Sequence, residues 1–518
     1  MAADDTGTVL AVYDVVVIGA GSAGSVIAAR ASENSQLTVA LLEAGPDYPL
    51  LHETPYDLVN SHDNSYTAHD WGYSYTPTAG GRPSNFPRGR VMGGSSAVNT
   101  TIALRGMPED YDGWAALGND GWSWDDVLPA FRRLERDLDF GDKPYHGDSG
   151  PITIRRYRDD ELTPPQAAWL EAAAVLGYPY CDDANDPTSW GAGMHPMNKV
   201  GRVRVSTAIG YLAPARVRPN LTVRGNAPVR RLVVAGGQVI AAELEDGSRV
   251  EGRLFVVCAG AIASPGLLER SGIGRPEVLE PLAIDVVADV AGVGEGLQDH
   301  PAAAVLCEVR DGVELDLDSP IVQTILRYTS PGSEFRNDLQ IEVFSFARRR
   351  GEDASPRAFA IAAVLEQCFS RGSVHITSAD PASSPAIEPN MCSDERDVER
   401  LAAAFLDTIA FTEAKPMADI IENVAFPRLP VDLDSARELV RRFSGSGYHP
   451  CSSLRMGPSS DPLAVVDSRC RAYAVERLVV ADASIMPTVP RANTNLTAIM
   501  VGEMVGEWIR RSPEAYGL

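Results

Sequence analysis

A glycine-rich turn between a buried strand and a helix is the feature that most constrains the fold of this 518-residue chain. Residues 13–18 (YDVVVI) form a continuous apolar, β-branched run, which is typical of a buried parallel strand. Gly19, Gly21 and Gly24 follow in the spacing G-x-G-x-x-G, and residues 25–32 then predict a helix. These glycines allow a tight turn, close approach of the backbone to a pyrophosphate, and packing of the helix on the strand. Because a helix N-terminus presents free N–H groups to phosphates, the unit predicts dinucleotide binding.

The second strand of this unit refines the prediction. Residues 37–42 (LTVALL) again form a buried apolar run, and Glu43 ends it, 19 residues beyond Gly24. A carboxylate at this point accepts hydrogen bonds from ribose hydroxyls and repels a 2′-phosphate. The motif therefore favours FAD or NAD over NADP, and it does not by itself distinguish FAD from NAD.

The order of the remaining elements predicts an α/β protein, α+β overall. Further buried strands are expected at 253–259 and 477–481, and antiparallel strands at 338–346 and 373–378. Helices are expected at 125–138, from about 264, at 396–413 and at 495–511. Parallel strands at both ends of the chain with antiparallel strands between them indicate a Rossmann-like domain interrupted by a substrate domain built on an antiparallel sheet. The predicted bounds are 1–155, 200–305 and 456–518 for the nucleotide-binding domain, and 156–199 and 306–455 for the substrate-binding domain.

Composition excludes several classes of function. The 46 Lys and Arg against 70 Asp and Glu give a net charge of −24, which argues against nucleic acid and anionic membrane surfaces as partners. Such a charge favours cationic substrates, although acidity also serves solubility. The seven cysteines are scattered and include no C-x-x-C, so neither a disulfide framework nor a metal site is expected. Residues 1–12 show no signal peptide and no apolar run reaches ~20 residues, so a cytoplasmic location is expected.

Several further segments carry a resemblance to a known family. Besides the glycine turn, these segments are 88–96 (RGRVMGGSS), 105–114, 258–265, 292–300, 370–374, 445–457 (GSGYHPCSSLRMG) and 480–497 (VADASIMPTVPRANTNLT). With them the chain resembles the glucose–methanol–choline (GMC) flavoprotein oxidoreductases along its whole length, and within them the branch that contains 5-hydroxymethylfurfural oxidase.

The resemblance implies FAD, with its ADP half on the glycine turn. Some members link FAD covalently through a histidine, and Val98 stands at the matching position, so non-covalent FAD is expected. The family also places the N-terminus of the helix near Asn495 against the flavin N1–C2=O edge, where reduction adds negative charge. The expected cofactor-binding residues are Gly19, Gly21, Ser22, Ala23, Gly24, Glu43, Ala44, Arg88, Met92, Gly94, Ser95, Asn99, Val229, Ala259, Gly260, Asp482, Ala483, Asn493 and Thr494.

The family also implies a catalytic pair, His449 and Asn493. His449 lies in a polar turn (SGYHP), and an imidazole takes up a proton near neutral pH. An amide does not titrate, but it donates a hydrogen bond to a substrate oxygen. Of the other histidines, His52, His62 and His69 are expected in exposed loops, and His300 and His375 are expected to form structural hydrogen bonds.

The expected reaction is oxidation of a primary alcohol to an aldehyde, with hydride transfer to flavin N5 and O2 or another electron acceptor. The resemblance points to a furanic or aryl alcohol. The alternatives are a sugar or aminoglycoside-type alcohol, a hydroxynitrile lyase that keeps FAD for structure, and a flavin-binding protein without catalysis. The oligomeric state is not readable from the chain.

The predicted substrate-binding residues are Tyr448, Glu342 and Phe344. The strand period of two places Leu339, Ile341 and Val343 on one face of the strand at 338–346, and Gln340, Glu342, Phe344 and Phe346 on the other. This second face is predicted to line the substrate cavity. The alternative is that Glu342 points to solvent or pairs with Arg348.

Overall fold

The computed structural model describes residues 9–347 and 356–518. Within these ranges, helices and two large sheets organise the chain. The helices are α1 (Gly24–Ala31), α2 (Tyr56–Val59), α3 (Pro108–Ala116), α4 (Trp124–Leu134), α5 (Pro164–Val175), α6 (Ala213–Ala215), α7 (Gly260–Arg270), α8 (Pro276–Leu279), α9 (Glu395–Glu413), α10 (Met417–Ile420), α11 (Leu433–Phe443) and α12 (Thr494–Arg511). The strands of the two sheets are β1 (Val9–Ile18), β2 (Val39–Leu42), β3 (Tyr180–Cys181), β4 (Gly191–Met194), β5 (Leu221–Arg224), β6 (Val229–Ala235), β7 (Gln238–Leu244), β8 (Arg249–Val257), β9 (Pro301–Val309), β10 (Thr324–Tyr328), β11 (Leu339–Ala347), β12 (Ala358–Leu365), β13 (Ile421–Phe426), β14 (Gly445–Ser446) and β15 (Leu478–Val480).

The first sheet has the parallel core that the sequence predicts. Its strand order is β5-β2-β1-β8-β7-β6, and β15 also pairs with β8. The strands β5, β2, β1, β8 and β15 run parallel, whereas β6 and β7 form an antiparallel ribbon on the first half of β8. Because Val15, Val16 and Val17 are inaccessible to solvent, the centre of this sheet is covered on both faces.

The second sheet comes from the interior of the chain. Its order is β13-β9-β12-β11-β10-β4-β3, with β14 paired to β9, and its pairs are antiparallel except β3–β4. The predicted fold class, a Rossmann-like domain combined with an antiparallel substrate sheet, is confirmed. The exact domain bounds stay a prediction.

Element boundaries differ from the predicted ones at a few informative places. The predicted helix over 125–138 ends at Leu134, because the buried Glu135 carboxylate turns inward to Arg105 and His146. Helix α3 is not among the helices that the sequence predicts. Its start is marked by Pro108 at the first helical position and by the Asp110 carboxylate, which accepts the Met107 N–H at 2.8 Å.

Two glycines of α12 allow it to pack closely against α1. A Cβ at Gly502 would lie 2.8 Å from the Ala23 carbonyl oxygen, and one at Gly506 would lie 2.8 Å from the Arg30 Cβ. The buried Glu503 between them binds Arg30 with an N–O distance of 2.8 Å. This packing brings the N-terminus of α12 next to the glycine turn, although the two are more than 450 residues apart in sequence.

Two further observations bear on the class of protein. None of the helices in the described ranges combines the length and the apolar character that a bilayer crossing requires. All seven cysteines fall within those ranges, and each is buried with a free thiol.

Candidate active site

Residues from both sheets line one cavity of about 400 Å³. The first sheet contributes the glycine turn after β1 and the end of β2, and the second contributes one face of β11. The start of α12 and the turn around His449 complete the wall. The predicted site residues on this wall are Gly19, Gly21, Ser22, Ala23, Glu43, Ala44, Arg88, Gly94, Ser95, Asn99, Val229, Ala259, Gly260, Asp482, Ala483, Asn493, Thr494, Glu342, Phe344, Tyr448 and His449.

Two predicted cofactor residues, Gly24 and Met92, are not on the wall. A Cβ at Gly24 would lie 1.9 Å from the Gly19 carbonyl oxygen, so this glycine allows α1 to pack against the turn. Met92 is 3% exposed, and its N–H donates to the Pro46 carbonyl at 3.0 Å. Both residues support the wall from behind and do not face the cavity.

The glycine turn has the shape that a pyrophosphate requires. The Cβ position of Gly21 is open, with only the Gly94 Cα within 4.0 Å. The N-terminal turn of α1 opens here, and the Ser22 hydroxyl donates to the Asn495 side-chain oxygen at 2.7 Å, which ties the turn to the start of α12. Two helix N-termini, those of α1 and α12, therefore meet at one cavity, an arrangement that favours negative charge.

Glu43 is held where a ribose would bind. Its Oε2 accepts the N–H of Ala20 and its Oε1 accepts the N–H of Gly45, both at 2.9 Å. Burial raises the pKa of this carboxyl, and these backbone donors oppose the shift. The carboxyl lines the cavity wall at the end of β2. The glycine turn and this carboxylate together fit the ADP half of FAD.

The two predicted catalytic residues, His449 and Asn493, are in contact. The Asn493 Nδ2 lies 2.9 Å from the His449 Nε2, and the Asn493 Oδ1 is buried without a hydrogen-bond partner. Asn493 precedes the first residue of α12, and its side chain turns to the histidine and does not cap the helix. The unused amide oxygen and second N–H are available to a ligand in the cavity.

The surroundings of His449 keep its ring neutral. Its removal from water, together with the nearby His300 and Arg88, lowers the pKa of His449 well below 6.5. The buried Asp299 holds the backbone in place, since its Oδ1 accepts the His449 N–H at 2.8 Å and the His300 N–H at 2.7 Å. Burial raises the pKa of Asp299 to about 6. A neutral imidazole is the form that can accept a proton.

Glu342 lines the cavity and is only 8% exposed, so the alternative in which it points to solvent is wrong. Arg348, the other suggested partner, lies outside the described residues. Gln340 donates to Glu342 Oε1, and the buried His195 places its Nε2 at 3.3 Å from the same oxygen. Phe344 lies on the same face of β11 and also lines the cavity. Gln340, Glu342 and Phe344 therefore face the cavity and not bulk water. The prediction is wrong for Phe346, which lies in a register shift of the strand and packs against the hydrophobic core.

Tyr448 and Arg88 lie together at the edge of the cavity. Tyr448 is 43% exposed and has a φ of +64°, which turns its carbonyl oxygen to the Arg88 Nη2 at 2.9 Å. Burial lowers the pKa of the Arg88 guanidinium, which remains a cation at neutral pH.

Sequence reasoning missed part of the histidine environment. The sequence predicts only a structural role for His300, but its Nδ1 lies 2.9 Å from the His449 Nδ1. His69 is buried between Tyr48 and Asp57, so the exposed loop predicted for it is wrong. His375 binds Glu269 at 2.6 Å, as a structural residue would. A signal for His300 was present in the sequence, because its segment is one of those that carry the family resemblance.

Comparison with known proteins places this arrangement in a family. Residues 13–302 and 368–502 match the N-terminal and C-terminal parts of the GMC oxidoreductase profile. The chain belongs to the GMC oxidoreductase family. It is therefore an enzyme, an FAD-dependent oxidoreductase of the class that acts on alcohols.

Individual relatives match over almost the whole chain. A GMC-type oxidoreductase of Rhodococcus erythropolis is 35% identical over 503 residues, with 95% of this chain and 97% of the relative covered. The oxygen-dependent choline dehydrogenase of Klebsiella pneumoniae is 35% identical over 539 residues, covering 96% of each chain. The crystal structure of pyridoxine 4-oxidase from Mesorbium loti superimposes with a TM-score of 0.88 at 30% identity, covering 95% of this chain and 98% of the other.

Proposed function

We propose that this GMC oxidoreductase converts a primary alcohol to an aldehyde, with His449 as the base and Asn493 as the residue that holds the substrate oxygen. The observation that supports this proposal is the contact of Asn493 Nδ2 with His449 Nε2 at 2.9 Å, in the wall of the cavity that the glycine turn also lines. FAD, when bound, supplies the hydride acceptor.

His449 and Asn493 have different roles toward the alcohol: His449 accepts its proton, and Asn493 orients its oxygen. When the substrate hydroxyl replaces the Asn493 N–H at His449 Nε2, this nitrogen accepts the hydroxyl proton, which raises the electron density on the oxygen and makes the carbinol C–H a better hydride donor. Asn493 donates its free N–H to the same oxygen and thereby fixes the direction in which the carbon points. The N-terminal end of α12 begins at Thr494, and its partial positive charge stabilises negative charge that develops in the cavity.

We propose non-covalent binding of the cofactor. Val98 lines the cavity at the position where some family members carry the linking histidine, and its side chain has no nucleophile. The residues of the wall, from the glycine turn to Asp482, would hold the cofactor through the domain formed by 1–155, 200–305 and 456–518.

The test of this function is anaerobic reduction of the flavin. The holoenzyme should lose its absorbance near 450 nm when a substrate alcohol is added, and His449→Ala should bind FAD but lose at least two orders of magnitude in rate, the usual scale for a general base. Asn493→Ala should lose less, because it removes a donor and no proton acceptor. Turnover of a substrate without any bleaching would instead indicate the lyase chemistry known for some GMC-fold proteins.

A cationic alcohol is a second candidate substrate beside the furanic or aryl alcohol. The observation that favours it is the carboxylate of Glu342 in the cavity wall near the ring of Phe344, because a carboxylate and an aromatic ring both attract a cation. The relatives support both classes, since choline is a cationic alcohol and pyridoxine an aromatic one. Amino sugars and aminoglycosides belong to the cationic class.

Glu342→Gln separates the two substrate classes. Loss of the carboxylate should raise the KM of an amino alcohol about tenfold or more and leave a neutral aryl alcohol nearly unchanged, because only the cation loses an ionic partner. Glu245→Gln is the matched control, since Glu245 also lines the cavity but lies beside Pro228, in the turn that follows β7 of the first sheet. Equal effects of Glu342→Gln on both substrates would contradict the cationic assignment.

The electron acceptor is O2 or another acceptor, and oxygen consumption during turnover decides between them. A screen over furanic, aryl, sugar and aminoglycoside alcohols with this readout identifies the substrate at the same time. We propose a cytoplasmic location, which the seven free thiols support.

A further inference from the structure

We infer that His300 is a positioning residue that keeps a proton on Nδ1 of His449 and so leaves Nε2 of His449 bare as the base. The inference rests on the proposed function of His449 and deepens it. It follows from the hydrogen-bond partners of four ring nitrogens, two on each histidine.

Both rings are neutral near pH 7, so each carries one proton. Burial lowers the pKa of His300 to about 3, and the pKa of His449 is well below its usual value of 6.5. His300 is completely buried, which agrees with an uncharged ring. Two protons are therefore shared among four nitrogens, and the neighbouring groups decide where each one lies.

The proton of His300 lies on Nε2. This nitrogen is 3.1 Å from the carbonyl oxygen of Pro490, and a carbonyl oxygen only accepts hydrogen bonds. A bare Nε2 here would bring two lone pairs together in the protein interior. With its single proton used at Nε2, His300 has a bare Nδ1.

The proton of His449 then lies on Nδ1. The two Nδ1 atoms are 2.9 Å apart, which is a hydrogen-bond distance, and such a contact needs one proton between them. Because His300 Nδ1 is bare, His449 is the donor. The Nε2 of His449 is left without a proton, and its lone pair accepts a hydrogen bond from the Asn493 Nδ2–H at 2.9 Å. Each hydrogen bond in the series from Asn493 through His449 and His300 to Pro490 then has one donor and one acceptor.

The other charged and titratable groups near His300 do not change the placement of the protons on His300 Nε2 and His449 Nδ1. The Oε2 of Glu366 lies 3.5 Å from the His300 Nδ1, and burial raises the pKa of Glu366 to about 8. In its protonated form this carboxyl is a donor, so it favours a bare Nδ1 on His300. The backbone carbonyl of Glu366 acts to raise the pKa of His300, as that of Pro490 does, and the contact at hydrogen-bond distance is the one to Pro490 at 3.1 Å. Asp299 uses its Oδ1 on the backbone N–H groups of His300 and His449. Arg88 is a donor only and takes no proton from either ring.

The consequence for catalysis is that His449 is held in the tautomer whose Nε2 can accept a proton. A free imidazole exchanges its proton between the two nitrogens, and the tautomer with Nε2–H has no lone pair for the substrate proton. His300 selects the reactive tautomer before substrate binds. It continues to accept from His449 Nδ1 after Nε2 has taken up a proton.

Two variants of similar size test the inference. His300→Leu removes the acceptor, whereas His300→Asn keeps an oxygen that can accept the His449 Nδ1–H. The rate constant of anaerobic flavin reduction should fall at least tenfold in His300→Leu, and an inverted tautomer of this kind costs up to ~10⁴-fold in other enzymes. His300→Asn should recover most of that loss, and both proteins should retain bound FAD.

Nitrogen-15 NMR of ring-labelled histidines in the holoenzyme gives a readout that does not depend on turnover. The signals that vanish in His449→Gln belong to His449, and their couplings to the ring C–H protons tell which nitrogen carries the proton. The wild type should show a protonated Nδ1 and a bare Nε2, and His300→Leu should show averaged signals.

The outcomes distinguish this inference from the proposed function. If His449→Gln is inactive but His300→Leu reacts at the wild-type rate with an unchanged tautomer, the role of His300 is refuted and the function stands. If His449→Gln reacts normally, the proposed base is wrong, and the NMR spectrum of the wild type still decides the tautomer. A protonated Nε2 on His449 in the wild type overturns the inference even if His300→Leu does not fold.

Discussion

Replacing Gly21 with alanine should weaken FAD binding without weakening the fold, whereas the same change at Gly24 should destabilise the fold itself. The two glycines belong to one motif, but their Cβ positions face opposite surroundings. At Gly21 the new methyl group would enter the cavity, where the only atom within 4.0 Å is the Gly94 Cα. At Gly24 it would lie 1.9 Å from the Gly19 carbonyl oxygen and 2.9 Å from the Cys258 Cβ.

The structure gives a magnitude for each change. In Gly24→Ala, the helix α1 and the turn must separate by more than ~1 Å, and overpacking of this kind costs about 1–3 kcal/mol or more. In Gly21→Ala, the methyl group holds a pyrophosphate away from the backbone N–H groups at the start of α1. The loss of one hydrogen bond to a charged group costs about 1.5–3 kcal/mol, which is roughly a 10- to 100-fold weaker affinity for FAD.

The assay combines two measurements on the same proteins. Thermal or denaturant unfolding of the FAD-free forms reports the stability of the fold, and titration with FAD, followed by flavin fluorescence, reports the affinity. Gly21→Ala should unfold like the wild type, and Gly24→Ala should not. If Gly21→Ala binds FAD as tightly as the wild type, the cavity beside the glycine turn does not hold the pyrophosphate and the reasoning is refuted.

The remaining predictions concern the cofactor link and two histidines. Acid precipitation should release FAD into the supernatant, because Val98 has no linking nucleophile; flavin in the pellet would contradict this. The acidic fall in kcat/KM should lie below pH 6.5, because the pKa of His449 is lowered in the fold; a fall at or above pH 6.5 would contradict a neutral buried base. Asp183 and Glu135 raise the pKa of the buried His146, so its protonated form stabilises the fold fully below about pH 6.5 and loses this contribution as the pH rises through the folded value. Unfolding at pH 6 and pH 9 should therefore show the wild type losing its advantage over His146→Gln at the higher pH.

Much of the fold could be predicted because its signals are local. The strand and helix around Gly19 and Gly24 are fixed by apolar runs and by glycine spacing, both of which act within a few residues. Helix boundaries depend on more than local signals. Helix α4 ends at Leu134 because the carboxylate of Glu135 binds Arg105 and His146, and Arg105 is distant in sequence. A contact between buried side chains that are distant in sequence cannot be read from the hydrophobic pattern around the helix end.

The candidate site shows the same division. Resemblance to a family indicated His449 and Asn493, and a strand period of two placed Glu342 and Phe344 on one face. The period did not decide whether that face meets solvent or a cavity, because this depends on what packs against it. The sequence also does not show that His300 contacts His449, because the two residues are 149 positions apart and only folding brings them together.

The sequence by itself determined the dinucleotide-binding unit, the alternation of the cavity strand and the residue types available for catalysis, because each of these depends on neighbours along the chain. The tertiary structure alone decided which ring nitrogen of His449 is bare. That proton is placed by the carbonyl of Pro490 acting through His300, and by the amide of Asn493. Hydrogen bonds depend on distances of a few tenths of an ångström between groups that only folding brings together, so no pattern of residue types can specify them.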